Sequence, residues 1–227
     1  NTIVNDYTSL TSDVVAGAYT IDVSSSLLNT SGGFSTPLTT GDLVLIIQMQ
    51  GASISTADDS TYGQVLNYNN CGHHELAQVS GVPSSTAIIV SCALQFDYSS
   101  TGHTQVVRIP RYSKLIVNTG AGITCPAWNG TTGGIIAVET DSGITINSGG
   151  SIDASMKGFR GGVLTENLSA YGVLNFRSTQ GDYGAAKGEG IAGSILDYDS
   201  LYGRYGKGAP ANGGGGGNGH NGGGGGG

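Results

Sequence analysis

The sequence predicts an all-β protein, and three observations carry that reading: short apolar runs, tight turns between them, and very little charge. Between residues 133 and 162 the runs Ile135-Ile136-Ala137-Val138, Ile144-Thr145-Ile146 and Ile152-Asp153-Ala154 are separated by Gly, Ser, Asp and Asn. Ile135, Ile144 and Ile152 recur at intervals of nine and eight residues, which leaves no room for a helix between them. Strands this short must stack on neighbours, as the coils of a solenoid do. Charged residues make up 11% of the 227, against roughly 25% in an ordinary soluble domain. With 41 glycines, the surface is solvated by hydroxyls, amides and backbone, which suits an extracellular β protein. The expected architecture is a small β-barrel or sandwich, then a short right-handed β-solenoid, then a Gly-rich tail that can form a polyglycine helix.

Residues 1–112 read as the barrel or sandwich module. Tyr19, Ile21 and Val23 alternate after a Gly turn. Gly41-Asp42 makes a tight turn feeding Leu43 to Met49, an apolar run with the length of a strand buried on both faces. Leu76 to Val79, Ala87 to Val90 and Val106 to Ile109 supply three more strands, with Pro83-Ser84-Ser85 turning between the first two. Gly51 to His74 is a long polar insertion, and loops beyond about 15 residues are usually functional. Its Asp58, Asp59, Tyr62, Tyr68, His73 and His74 form the candidate binding loop.

Residues 113–165 read as solenoid coils, with Leu115-Ile116-Val117 and Gly122-Ile123-Thr124 ahead of the runs above. An irregular segment, 166–202, follows. Its Tyr171, Phe176, Tyr183, Tyr198 and Tyr202, with Tyr205 just beyond, are expected to pack, because aromatics supply the area a Gly-rich coil lacks. The tail, 203–227, has 15 Gly in 25 residues. It reads either as a flexible linker or as extended glycine helices that approach closely for want of side chains.

The formal net charge is −7, and the nine Lys and Arg form no cluster. Nucleic acid is thereby excluded as a partner, since phosphate neutralisation needs a concentrated positive face. No apolar run approaches the roughly 18 residues of a membrane span. Cys71, Cys92 and Cys125 show neither CxxC nor metal-ligand spacing. Cys71 with Cys92 is the preferred disulfide, stapling a loop onto the strand after it; a fully reduced chain is the alternative. Cys71-Gly72-His73-His74-Glu75 places four ligand types within five residues, but zinc sites pair such a cluster with a second one, and His103 and His220 are isolated. No calcium-loop pattern surrounds Asp58-Asp59. No metal or cofactor is expected. Catalysis would need paired acids or an acid beside a base. Glu139, Asp141 and Asp153 are spread over turns and short strands, and Lys157 and Arg160 flank a glycine corner. No catalytic residue is assigned.

Four stretches carry a resemblance to a known family. They are Gly41-Asp42-Leu43-Val44-Leu45-Ile46-Ile47-Gln48-Met49-Gln50-Gly51-Ala52, Val106 through Tyr112, Ala127-Trp128-Asn129-Gly130-Thr131-Thr132-Gly133-Gly134, and Lys157-Gly158-Phe159-Arg160-Gly161-Gly162. In this order they resemble the N-terminal region of very large surface proteins of gliding Bacteroidota, including mobile adhesins exported by the type 9 secretion system. The likeness spans roughly residues 1–165. It implies export across the outer membrane, with the secretion and outer-membrane anchoring machinery as partners. It also implies display at the bacterial cell surface and a part in adhesion or gliding, and it transfers no catalytic residue. Asn1, in place of Met, is read as a mature end left by signal-peptide removal. Asp59-Ser60-Thr61 and Asp199-Ser200-Leu201 resemble the Asp-Ser/Thr-apolar sites at which Bacteroidota O-glycosylate exported proteins, which marks Ser60 and Ser200.

The expected function is a non-catalytic module of a secreted surface adhesin that touches a surface polysaccharide or an abiotic surface. Multivalent display would make weak contacts firm. Two other classes stay open. A carbohydrate-active β-helix lyase or hydrolase would carry paired acids in a groove. An architectural subunit of an extracellular filament or secretion assembly would dock through its Gly-rich end.

Overall fold

A computed structural model describes residues 1–31, 33–163, 175–179, 185–201 and 203–217. Tyr171, Tyr183, Tyr202, His220 and the tail from 218 to 227 lie outside the described residues. The chain packs as two units, Asn1–Gln48 with His73–Gly158, and Met49–Gly72 with Phe159–Gly227. The polar insertion thus joins C-terminal residues, whereas the sequence reading kept it within 1–112 and cut the chain consecutively at 112, 165 and 202. The cause is long-range main-chain bonding that no local pattern encodes. Gly51 N and Ala52 N donate to Ile191 O at 2.9 and 3.1 Å, and Ala211 N donates to Gly63 O at 3.0 Å.

In chain order the strands begin with β1 (Thr2–Ile3), β2 (Asp6–Ser9), β3 (Thr20–Asp22), β4 (Leu43–Gln48), β5 (Ser53–Ile54), β6 (Val65–Asn67), β7 (His74–Ser84) and β8 (Ala87–Val90). They continue with β9 (Thr104–Ile109), β10 (Arg111–Tyr112), β11 (Leu115–Val117), β12 (Gly122–Thr124), β13 (Glu139–Thr140), β14 (Ile144–Ile146) and β15 (Ser151–Ile152).

In the first unit an antiparallel sheet of six strands, ordered β2-β9-β4-β7-β8-β3, curls into a half-barrel. Ile21, Val23, Val44, Ile46, Ile88, Val90 and Val106 fill its concave core. The strand buried on both faces is β9, all six of whose residues are buried; β4 alternates buried with half-buried positions. Strand β7 runs on through Pro83, past the turn expected there, because register shifts near Gly81 and Ser84 relieve the ladder of the missing proline N–H.

Parallel pairs form the solenoid: Arg111 against Glu139, Leu115 against Ile144, and Ile123 against Ile152. One coil is therefore 28 or 29 residues long. The nine- and eight-residue spacing read from the sequence separates faces of one coil rather than stacked rungs. Strand β1 adds a further rung on β12, with Thr2 opposite Ile123. Val4, Val117 and Ile123 form the core of these coils, with Leu115, Ile136, Val138 and Ile152 against them.

Ile135 to Val138, expected as a strand, makes no ladder. Side-chain amides pin it instead. Gln105 Nε2 donates to Gly133 O (3.1 Å) while Gly133 N donates to Gln105 Oε1 (3.0 Å). Asn5 does the same at Ala137, with bonds of 2.7 and 3.0 Å, and the Tyr7 hydroxyl donates to Ile135 O at 2.6 Å. Each amide mimics a neighbouring peptide group, so a strand-like segment is held without a strand.

The second unit contains the β5–β6 hairpin and one short helix, α1 (Ile195–Ser200). Ser194 N donates to Asp197 Oδ2 at 2.6 Å, closing the first turn of that helix. Residues 203–217 are packed chain rather than linker. Gly188 N donates to Gly214 O (2.7 Å) and Ala185 N to Gly217 O (3.1 Å). A Cβ on Gly216 would run into Ala185 O, so at this position only glycine permits the approach. Tyr198 is fully buried, in a cluster with Ile54, Tyr62 and Ala192.

Candidate functional site

The residues read as one binding loop do not present one surface. Asp58 Oδ1 accepts from the main-chain N–H groups of Phe176 (2.7 Å) and Arg177 (3.2 Å), so it caps that chain. Asp59 is exposed, and the hydroxyl and N–H of Thr61 hold its carboxyl below the usual range. Tyr62 is buried, which pushes its phenol up to about 12. Tyr68 is 62% exposed and is the displayed aromatic of this loop. His73 and His74 belong to the first unit. His73 is half-buried with its ring 4.6 Å from that of Phe96, while His74 is exposed and lies opposite Ile47 in the β4–β7 ladder. Ser60 and Ser200 are both exposed, and Ser200 Oγ donates to Asp197 O at 2.6 Å.

The preferred disulfide is not formed: Cys71, Cys92 and Cys125 are free thiols. Cys71 is half-buried and donates to Met49 O at 3.2 Å, inside its own loop. Burial pushes that thiol up to about 11. Cys92 is exposed and Cys125 buried.

Two buried charges that sequence reasoning missed organise the second unit. Lys187 is 0% exposed. Its Nζ donates to Phe176 O (2.7 Å), Gly206 O (3.0 Å) and Gly208 O, and it lies 4.4 Å from the centre of the Tyr62 ring. Three ammonium N–H groups meet three carbonyls, while burial pulls the group down from 10.5 to about 7, against the nearby Asp58 charge. Glu189 is equally buried. It accepts from Arg160 Nε (2.8 Å), Arg160 Nη2 (3.2 Å), Arg160 N (3.1 Å) and Gln50 Nε2 (3.2 Å). The bonds to Glu189 raise Arg160 above its usual range. Arg160, read as a glycine-corner residue, thus anchors a buried carboxylate. The signal was faint, because Lys187-Gly188-Glu189-Gly190 reads as a solvated polar stretch. It is the close approach of glycine backbone that removes the solvent. A cavity of about 310 Å³ adjoins Arg160, Val163, Ser194 and Leu196.

On the solenoid, Glu139 pairs with Arg111, its register partner across β10 and β13. Asp153 Oδ1 accepts from Ser155 N (2.8 Å), and bonding to Ser155 holds its carboxyl below the usual range. Among the described residues every carboxylate except Asp141 accepts a hydrogen bond or an ion pair. Most of these bonds close turns or cap loops. Among the described residues no group of three or more His, Cys, Asp or Glu could hold a metal ion, and no helix is long and apolar enough to cross a membrane. The first coil carries an open apolar cleft of about 250 Å³, lined by Thr2, Val4, Tyr112, Leu115, Val117 and Ile123 among others.

No family model and no curated protein matches this chain. Three phage tailspikes are among the solved structures it is similar to. They are gp61 of Pseudomonas phage phi297 (TM-score 0.31, 14% identity, 66% of this chain and 20% of that chain), Gp54 of Acinetobacter baumannii bacteriophage AP22, solved in complex with A. baumannii capsular saccharide (0.30, 14%, 66% and 24%), and gp49 of Pseudomonas phage LKA1 (0.28, 17%, 66% and 30%). The chain thus spans 20 to 30% of the length of these tailspikes.

Proposed function

We propose that this chain is a non-catalytic β-solenoid module of a large extracellular protein displayed at a bacterial cell surface, where it serves attachment or gliding. Export by the type 9 machinery and anchoring at the outer membrane belong to the same proposal. The observation that carries it is the use made of the acids. With the exception of Asp141, the described carboxylates are engaged in holding the fold, and the lone Asp141 has no second acid or base assigned to work with it. A glycosidase places two carboxyl groups across one bond. The low charge and the displayed Tyr68 support contact with a polysaccharide or an abiotic surface, with multivalency supplying firmness.

The test couples the purified chain to beads at varied density and measures retention under flow on polysaccharide-coated and bare glass. A parallel screen asks the soluble chain to depolymerise the same polysaccharides. Retention that rises steeply with density, without turnover, is expected. Turnover of any polysaccharide, or retention no greater than that of albumin-coated beads, overturns the reading.

A further inference from the structure

The end of the solenoid that begins with the first coil is covered unevenly. Along β12, the edge facing away from β15 is taken by β1, in a β1-β12-β15 order. Along β11, the edge facing away from β14 carries no strand among the described residues, since β11 and β14 form a sheet of two. Leu115 N donates to Gly143 O (3.3 Å) and Val117 O accepts from Asn147 N (2.9 Å), so both residues turn their main-chain groups toward β14. In a parallel ladder the residue between them turns its N–H and C=O the other way. Ile116 therefore offers a donor and an acceptor on the vacant edge. The cleft of about 250 Å³ lies at this place, with Leu115, Val117, Val4 and Ile123 in its wall. A cavity of roughly 150 Å³ accommodates benzene, so this one has room for two small aliphatic side chains.

We propose that the outer edge of β11 is a seat for an extended peptide strand from a partner polypeptide. The strand lies parallel to β11, bonds its main chain to Ile116, and lowers apolar side chains at alternate positions into the cleft. The occupant is a polypeptide because the edge asks for main-chain donors and acceptors at strand spacing, as strand addition does elsewhere. The neighbouring face shows how such a segment sits. There Thr2-Ile3 lies parallel on β12 in register, and Val4 turns into the coil core. The seat does not depend on the module being adhesive.

The probe is the hexapeptide acetyl-Thr-Val-Thr-Val-Thr-Val-amide, titrated into the full chain and followed by amide NMR and hydrogen exchange. Saturable shifts at Leu115, Ile116 and Val117 are expected, with Ile116 N–H exchange slowed at least tenfold. The same peptide N-methylated at every amide should not bind. Ala121→Phe, which fills the cleft from its exposed wall, should weaken binding at least tenfold. An alanine-for-valine peptide should bind the unaltered chain more weakly, a check that does not rely on the variant folding. The proposal is overturned if the Ile116 amide is already protected in the free chain, if millimolar peptide leaves these resonances unmoved, or if the methylated peptide binds as well.

Discussion

Replacing Gln105 with Leu tests whether the solenoid segment at 133–137 is pinned by side-chain amides. Gln105 is 0% exposed and makes two bonds to Gly133, at 3.1 and 3.0 Å. Leucine has nearly the same volume, so Gln105→Leu opens little cavity. It does leave one buried N–H and one buried C=O without partners. At about 1–3 kcal/mol for each such group, the expected loss is roughly 2–6 kcal/mol, a large share of a stability near 5–15 kcal/mol. Urea unfolding followed by fluorescence of Trp128, the single tryptophan, reads this directly, since that ring is buried next to Gly134. Gln105→Glu separates bonding from packing. A buried glutamate has its folded pKa raised above the unfolded value near 4.3. Its stability is then full below that value and lost as pH rises, so this variant should recover on acidification while Gln105→Leu does not. A loss below about 1 kcal/mol for Gln105→Leu, with unchanged m, would refute the reasoning and assign the segment to apolar packing of Ile136 and Val138 alone.

Three further outcomes are expected. Gly216→Ala should cost at least about 2 kcal/mol and speed exchange at the Ala185 and Gly188 amides, since its Cβ meets Ala185 O, whereas Gly158→Ala, in open space, should stay within about 0.5 kcal/mol. Lys187 holds its proton up to about 7 folded and 10.5 unfolded, so the unfolded chain binds the extra proton between those values. Stability of the second unit should therefore rise with pH across pH 7–9.5 and be lost as pH falls through about 7, and Lys187→Met should flatten that slope in denaturant midpoints. Above pH 10 the buried Tyr62, raised to about 12, turns the curve down instead, because it keeps its proton longer when folded. Finally, a thiol reagent at pH 8 should modify Cys92 within seconds, Cys71 slowly and Cys125 only in urea, following their exposure. A reagent-inert Cys92 in unreduced protein would point to a disulfide.

Strand identity was legible where a period of two coincided with apolar residues. Runs such as Leu43 to Met49, Ala87 to Val90, Leu115 to Val117 and Ile144 to Ile146 are strands because each alternates or is apolar throughout. The coil length was not legible. Leu115 and Ile144, or Ile123 and Ile152, are register partners far apart in sequence, and two coils are too few for a repeat to emerge. The Ile135 run misled for a related reason. Its side chains do enter the coil core, but its main chain bonds to Asn5, Tyr7 and Gln105 rather than to another strand. Polar residues at positions 5 and 105 look like solvated strand positions until their partners are known. The candidate site was the least legible of all. Asp58 and Tyr62 read as a displayed pair, yet one caps a main-chain turn and the other faces Lys187.

The four motifs that carry the family likeness acquire a physical reason for appearing together. Asp42, from the first, bonds Arg108, from the second, at 2.7 Å, and their strands β4 and β9 are adjacent in the sheet. Arg108 is 3% exposed; it also donates to Leu28 O (3.0 Å) and Thr36 O (2.7 Å) and lies 3.9 Å from the centre of the Phe34 ring. Removing either charge strands the other in a poorly solvated place, which typically costs about 3–5 kcal/mol. Trp128 N, from the third motif, donates to Lys157 O, the first residue of the fourth, at 2.8 Å. Gly134 sits between them, its φ of +76° leaving no room for a side chain against Lys157 O. The motifs therefore function as two interlocked pairs, one tying the half-barrel sheet to the loop over it and one closing the second coil. Selection on such pairs preserves a scaffold while leaving loops such as 55–64 free to vary. That is the division of labour expected of a module whose task is to hold other surfaces in place.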